Sequence, residues 1–208
     1  MAKQPTPRDK RSGVKRRTTS YLPWNTARRL IRELEQEGKY NTALMVSAGV
    51  HFGLRISDTL RLTWGQIRGA EIELVEQKTG KFRRIQVHKD FAALRDRYLA
   101  DRFYDDRQPE DAAHVFTPSR GRQRNKPITV RAANKRFATA LQRHGIETAN
   151  ASTHTLRKTF ARRVWEKRGK SESALVLLSE MLNHRGTAVT RKYLGITSDE
   201  IAEVYADL

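Results

Sequence analysis

The stretch STHTLRKTFARRVW, residues 152–165, sets a histidine and an arginine three apart at the start of a helical pattern. Positions i and i+3 share a helix face, so His154 and Arg157 would meet the same ligand. A guanidinium presents a planar fork matched to two phosphate oxygens, and an imidazole at the helix start can donate to the same phosphate. Three other sets of residues could join them. Arg55 directly follows a run apolar enough to be a buried helix, with Asp58 three residues on to hold or orient it. Lys78 and Lys81 flank a glycine-containing turn, and His184 is followed nine residues later by Tyr193. Each set alone has a plainer reading: a basic surface helix, a turn lysine, a capping histidine, a half-buried tyrosine.

The elements that must position these residues follow from periodicity. A helix is expected from about Asn25, its N-cap, with Leu30, Ile31 and Leu34 as the buried stripe. TALMVSAGVHFGL reads as a buried helix, and ISDTLRLTWGQI as one more after a break at Gly53. The period then changes: EIELVEQ and FRRIQVH alternate and are joined by KTGK, which predicts a β-hairpin. Helical spacing returns over residues 89–103 and again after the loop SRGRQRNKPITV. Further helices are expected near 154–168, 173–183 and 187–194. On the first of these, Leu156, Phe160 and Val164, with Ala161 and Trp165, form one apolar stripe, and His154 and Arg157 lie beside it rather than inside it. A last helix, 198–208, opens on the capping-box pattern Thr197–Ser198–Asp199–Glu200. The fold class is mainly α with a small antiparallel β-sheet (α+β).

Charge narrows the partner. The chain of 208 residues carries 41 Lys and Arg against 23 Asp and Glu, a net +18, which predicts a polyanion, nucleic acid before a membrane surface. Residues 1–20 form a basic arm, with Lys15, Arg16 and Arg17 at its end, that would settle on phosphates. From Ser119 to Arg136 there is no acidic residue. Arg122, Arg124 and Lys126, then Arg131, Lys135 and Arg136 on the following helix, are therefore read as a DNA-facing surface, together with Arg83 of the hairpin. Which of Arg131, Asn134, Lys135 or Arg136 would reach base edges is not legible. No run of about eighteen apolar residues exists to span a membrane, and the start lacks the apolar stretch of a secretory signal. With no cysteine, a thiol nucleophile and a Cys-based zinc site are excluded.

Taken together and in order, GLRISDTL, QKTGK, HTLRKT, LNH and TRKYLG resemble the signature boxes of the tyrosine recombinase, or phage integrase, family, over residues from about 21 to 208. The resemblance implies the catalytic-domain fold of those DNA breaking and rejoining enzymes. It also implies a site-specific recombinase that works through a 3′-phosphotyrosyl intermediate, with no metal, nucleotide or other cofactor. By the same resemblance Tyr193 is the nucleophile, Arg55 and Arg157 clamp the scissile phosphate, and His154 and His184 add hydrogen bonds to it, with His154 the partner in proton transfer. Lys78 protonates the leaving 5′-oxygen, with Lys81 as its substitute, and Asp58 supports. The expected partners are double-stranded DNA recombination sites, a homotetramer on DNA and accessory DNA-bending proteins. The expected location is the cytoplasm, nucleoid-associated, for a protein encoded by a phage or other mobile element.

The chain departs from the family pattern in three places. Lys158 stands where a second histidine is common, and Asn183 replaces the glycine of the LGH box. The helical core-binding domain that usually precedes the catalytic domain is expected to be missing, leaving the arm to help close around DNA. The last helix, through Ile201, Val204, Tyr205 and Leu208, is expected to dock into a neighbouring protomer. Two other functions fit parts of the pattern: relaxation of supercoils by a type IB topoisomerase-like activity, and a non-catalytic DNA-binding regulator on the same fold.

Overall fold

The structure is a computed structural model, and it describes residues 19–103, 108–118 and 125–195. The expected basic arm with Lys15, Arg16 and Arg17, the arginines Arg122 and Arg124, and the helix 198–208 lie outside the described residues. Among them the chain forms α1 (Trp24–Gln36), α2 (Tyr40–Phe52), α3 (Ile56–Leu60), α4 (Trp64–Arg68), β1 (Glu71–Val75), β2 (Phe82–Gln86), α5 (Lys89–Arg102), α6 (Val130–Arg143), α7 (His154–Lys167), α8 (Glu172–Met181) and α9 (Thr187–Leu194). None of these helices is long and apolar enough to cross a membrane.

The second helix, α2, is apolar on every face and so belongs at the centre. It is buried from Ala43 to Val50 and touches α1, α3, α5, α6 and α7. Helix α1 covers it with Ala27, Leu30 and Leu34. It begins at Trp24 after Pro23, without a side-chain cap, so Asn25 is not the expected N-cap: proline at that point already fixes the backbone angle that turns the chain into the helix. The segment ISDTLRLTWGQI is not one helix but two, α3 and α4. Between them Leu62 accepts from the Val115 amide and Thr63 bridges His114. Thr63 then restarts the helix through a reciprocal capping box with Gln66, since a strand-like pairing and a continuous helix cannot share the same backbone groups.

Strands β1 and β2 form the expected antiparallel hairpin, with Glu71 opposite Gln86 and Val75 opposite Phe82. Beyond that last pair the Glu76 amide donates to Lys81 O and the Gly80 amide to Glu76 O, closing the turn that carries Lys78.

Helix α7 bridges two cores. Leu156 belongs to the large core around α2. Phe160, Ala161 and Trp165 join Ala174, Leu175, Leu178, Leu182 and Leu194 in a second, smaller one. The single apolar stripe on α7 thus serves two layers, and the helix can lie close to α2 because two glycines face it. A Cβ on Gly49 would sit 2.6 Å from Leu156 Cβ, and one on Gly53 would sit 2.3 Å from Phe160 Cδ1. Gly49→Ala is therefore expected to destabilise the fold by about 1–3 kcal/mol through overpacking, measured as a lower urea midpoint with an unchanged slope.

Candidate active site

Arg157 is the buried centre of the site. Its residue is 3% exposed, enclosed rather than merely beside the apolar stripe as the helical spacing suggested. The reason is the ends of two other helices. Its guanidinium donates to Gly53 O at 2.8 Å and to Leu182 O at 2.6 Å, the residues that cap α2 and α8. Last-turn carbonyls lack partners within their own helix and carry the negative end of its dipole, so they both anchor and offset the buried cation. Two of the five N–H donors are used there.

His184 is set by the end of α8. Its amide donates to Ser179 O and the Asn183 amide to Glu180 O, the paired bonds of a Schellman turn. Such a turn needs a left-handed residue, and Asn183 has φ of 51°. Asparagine tolerates that conformation better than other non-glycine residues, which explains its standing where glycine was expected. His184 Nδ1 lies 2.9 Å from Thr190 Oγ1 of α9, leaving Nε2 as the nitrogen free for the site.

Tyr193, one turn further along α9, sits between the two histidines. Its ring meets His154 and His184 edge-on, each with centroids 5.1 Å apart, and Lys158 Nζ lies 5.4 Å from its centroid. The hydroxyl is buried without a well-formed hydrogen bond. Burial pushes its pKa up, while the Arg157 guanidinium, which approaches without closing a bond of full geometry, and Arg55 pull it down. His154 keeps much of its surface open, yet its packed ring and the charges of Arg157, Lys158 and Arg55 bring its pKa down to about 4. His184 is also lowered to about 4, by burial first and then by Arg157, Arg55 and His154. Both imidazoles are thus neutral at pH 7, the state that can accept a proton.

These shifts fix a pH dependence. His51, half-buried against Trp24, is lowered to about 4 as well, by burial first and then by His88. Between the ordinary value of 6.5 and about 4, the unfolded chain binds protons that the folded chain does not. Stability is therefore complete above pH 6.5 and falls as pH drops towards 4. Thermal melts across that range are expected to show the decline, with a shallower slope in His51→Asn.

Arg55 precedes α3 and turns to the hairpin, where it donates to Glu76 Oε2 at 2.7 Å. Asp58 does not hold Arg55. It lies inside α3, and its Oδ1 instead accepts from the Gln77 amide at 3.0 Å, tying that helix to the turn. Arg83, expected on the DNA-facing surface, is directed inward onto Glu76 Oε1 at 3.1 Å. Glu76 itself was missed. The alternation of EIELVEQ marks it only as one more acid in a strand, and its single signal is a carboxylate beside a lysine-rich turn.

The structure brings Arg55, His154, Arg157, His184 and Tyr193 into one electrostatic group. Lys78 stands exposed at the turn, two residues from Glu76, and makes no described contact with those five. Among the basic residues of the expected surface, Lys126, Arg131 and Lys135 are exposed. Arg136 turns onto Asn41 Oδ1 at 3.0 Å, and Asn134 Oδ1 is taken by the Thr153 amide and hydroxyl at the start of α7. Away from these groups, His51, His88 and Asp90 hold potential ligand atoms within 4.8 Å of one another. The two imidazoles stack nearly parallel at 4.3 Å, however, so no point between them lies in both ring planes, and His88 Nδ1 already accepts the Asp90 amide.

The helical layers, the hairpin and the order of the site residues define the catalytic domain of a tyrosine recombinase. The chain belongs to the phage integrase family, whose pattern matches residues 20–200. It is 28% identical over 158 residues to the probable integrase/recombinase YoeC of Bacillus subtilis (strain 168), covering 76% of this chain and 78% of that protein. Among solved structures it superposes on XerA recombinase with a TM-score of 0.67 at 20% identity, over 97% of this chain and 66% of XerA. It also superposes on a lambda integrase (75–356) dimer bound to a COC′ core site, with a TM-score of 0.58 at 19% identity, over 84% of this chain and 59% of that one. At such identities the likeness is one of fold. The chain spans about two-thirds or less of the length of these solved recombinases.

Proposed function

We propose that this chain cleaves and rejoins DNA at specific sites, with Tyr193 as the nucleophile. The observation that carries this reading is the buried Tyr193 hydroxyl, which lacks a well-formed partner of its own and lies among two neutral histidines and two guanidiniums. A hydroxyl so placed is ready for a phosphate. Arg157 and Arg55 would bind its non-bridging oxygens and stabilise the charge of the five-coordinate transition state. The Tyr193 Oη–phosphorus bond forms as the bond to the 5′-oxygen breaks. The phenol proton passes to His154, and Lys78 supplies the proton that the 5′-oxygen takes. The bond energy is kept in the phosphotyrosyl link, so the reverse reaction rejoins a strand with no cofactor.

Double-stranded DNA is the proposed partner. The net charge of +18 and the exposed Lys126, Arg131 and Lys135 favour it, and XerH recombinase, of the same fold, has been solved bound to its difH substrate before and after cleavage. Strand exchange between two sites would take a tetramer. The test is a nicked DNA substrate that loses the 5′-hydroxyl fragment on cleavage and so traps the covalent adduct. An adduct at defined positions supports site-specific recombination. Relaxation of plasmids at no preferred position would mark a topoisomerase, and binding without any adduct across a library of sites would mark a regulator.

A further inference from the structure

We propose that Glu76 is the positioning residue that holds the separate parts of this site in register before DNA arrives, an inference that rests on the recombinase reading above. Its carboxylate has no accessible surface, although it lies under a cover of arginine side chains rather than in either apolar core. Oε2 accepts from Arg55 at 2.7 Å and from the Thr79 hydroxyl at 2.8 Å. Oε1 accepts from Arg83 at 3.1 Å, and the Asn183 side chain approaches without closing a bond of full geometry, near enough to lower the carboxyl pKa.

The groups around it come from three parts of the site. Arg55 is itself one arm of the phosphate clamp. Thr79 follows Lys78 in the turn, Arg83 stands on β2, and Asn183 immediately precedes His184. One carboxylate thus meets the start of α3, the hairpin and the corner after α8. Between these segments no backbone-to-backbone hydrogen bond is formed at this point, and only the first two are otherwise tied, through Asp58 and the Gln77 amide. A buried ion needs such full pairing to be tolerated. Burial alone would raise its pKa, but the nearby Asn183 amide and the hydrogen bonds from Thr79, Arg55 and Arg83 outweigh it and bring the value to about 2. The carboxylate is thus charged at neutral pH. Two guanidiniums share its one negative charge, so a net positive charge remains for the phosphate. Glu76 also fixes Arg55 in one place, and transition-state stabilisation depends on that placement.

The test separates placement from stability. Glu76→Gln keeps the shape but removes the charge and turns an amide N–H towards a guanidinium. Cleavage is followed in single turnover at saturating DNA, at a temperature where circular dichroism shows both proteins fully folded, and DNA affinity is measured alongside. Affinity is expected to hold or rise, since the variant is more positive, while the cleavage rate falls about a hundredfold, as for an ångström of misplacement. A wild-type rate in the folded variant would make Glu76 a stabilising residue only and overturn the proposal. If Glu76→Gln does not fold, Asn183→Gly and Thr79→Val decide. Thr79→Val removes one donor and Asn183→Gly the neighbouring amide, each leaving both arginines paired, and glycine suits the left-handed turn. A rate loss of about tenfold in each, with affinity unchanged, is expected for smaller displacements, and wild-type rates in both would overturn the proposal. The wild type runs on the same DNA: if it forms no adduct, the recombinase reading itself fails and takes this one with it.

Discussion

Arg157→Lys is expected to lower the cleavage rate about a hundred- to a thousandfold, the usual loss when a preorganised donor to a developing oxyanion is removed, while DNA binding changes little. Lysine keeps the charge but not the fork. It cannot donate to Gly53 O and Leu182 O, as Arg157 does, and still offer two parallel N–H groups to a phosphate. Arg157→Ala is expected to do more. It leaves two buried helix-end carbonyls unpaired, at a cost of about 1–3 kcal/mol each, so the melting temperature falls together with the rate. Single-turnover cleavage, filter binding and thermal melts on the two variants separate these effects. Parallel loss of binding and cleavage in Arg157→Lys would make Arg157 an ordinary phosphate contact.

Tyr193→Phe is expected to abolish adduct formation entirely and yet to leave the protein as stable or more stable. The hydroxyl is buried without a well-formed hydrogen bond, a condition that costs about 1–3 kcal/mol in a folded protein. The ring's contacts with His154, His184 and Lys158 survive in phenylalanine. A structural tyrosine would behave in the opposite way, losing stability with its hydroxyl. The melting temperature of the variant thus reports directly on whether the hydroxyl is held for chemistry or for the fold.

Much of this site was legible in the chain because its residues sit at element ends, and ends carry sequence signals. HTLRKT opens a helix, GLR begins on the glycine that stops one, and QKTGK turns a hairpin. The family resemblance built on their order named Arg55, His154, Arg157, His184 and Tyr193, which the fold brings together, and Lys78, which stands apart at the exposed turn. What could not be read was what each side chain touches across the fold. Helical spacing put Arg157 beside the apolar stripe, but the ends of α2 and α8, distant in sequence, enclose it. Three-residue spacing paired Asp58 with Arg55, whereas the hairpin brings Glu76 to Arg55 and leaves Asp58 to the Gln77 amide. The single helix expected over ISDTLRLTWGQI breaks because Leu62 and Thr63 pair with residues 114–115. In each case local pattern gave way to a partner at least nineteen residues away in the chain, and no local pattern encodes such a partner.

The central claim is that Tyr193 bonds to DNA. Trapping the protein on a nicked substrate, digesting the adduct with protease and nuclease, and locating the residual nucleotide by mass spectrometry tests it most directly. The account predicts a 3′-phosphate linked to the peptide that contains Tyr193, absent in Tyr193→Phe. A nucleotide on any other residue, or an adduct that persists in Tyr193→Phe, would contradict it.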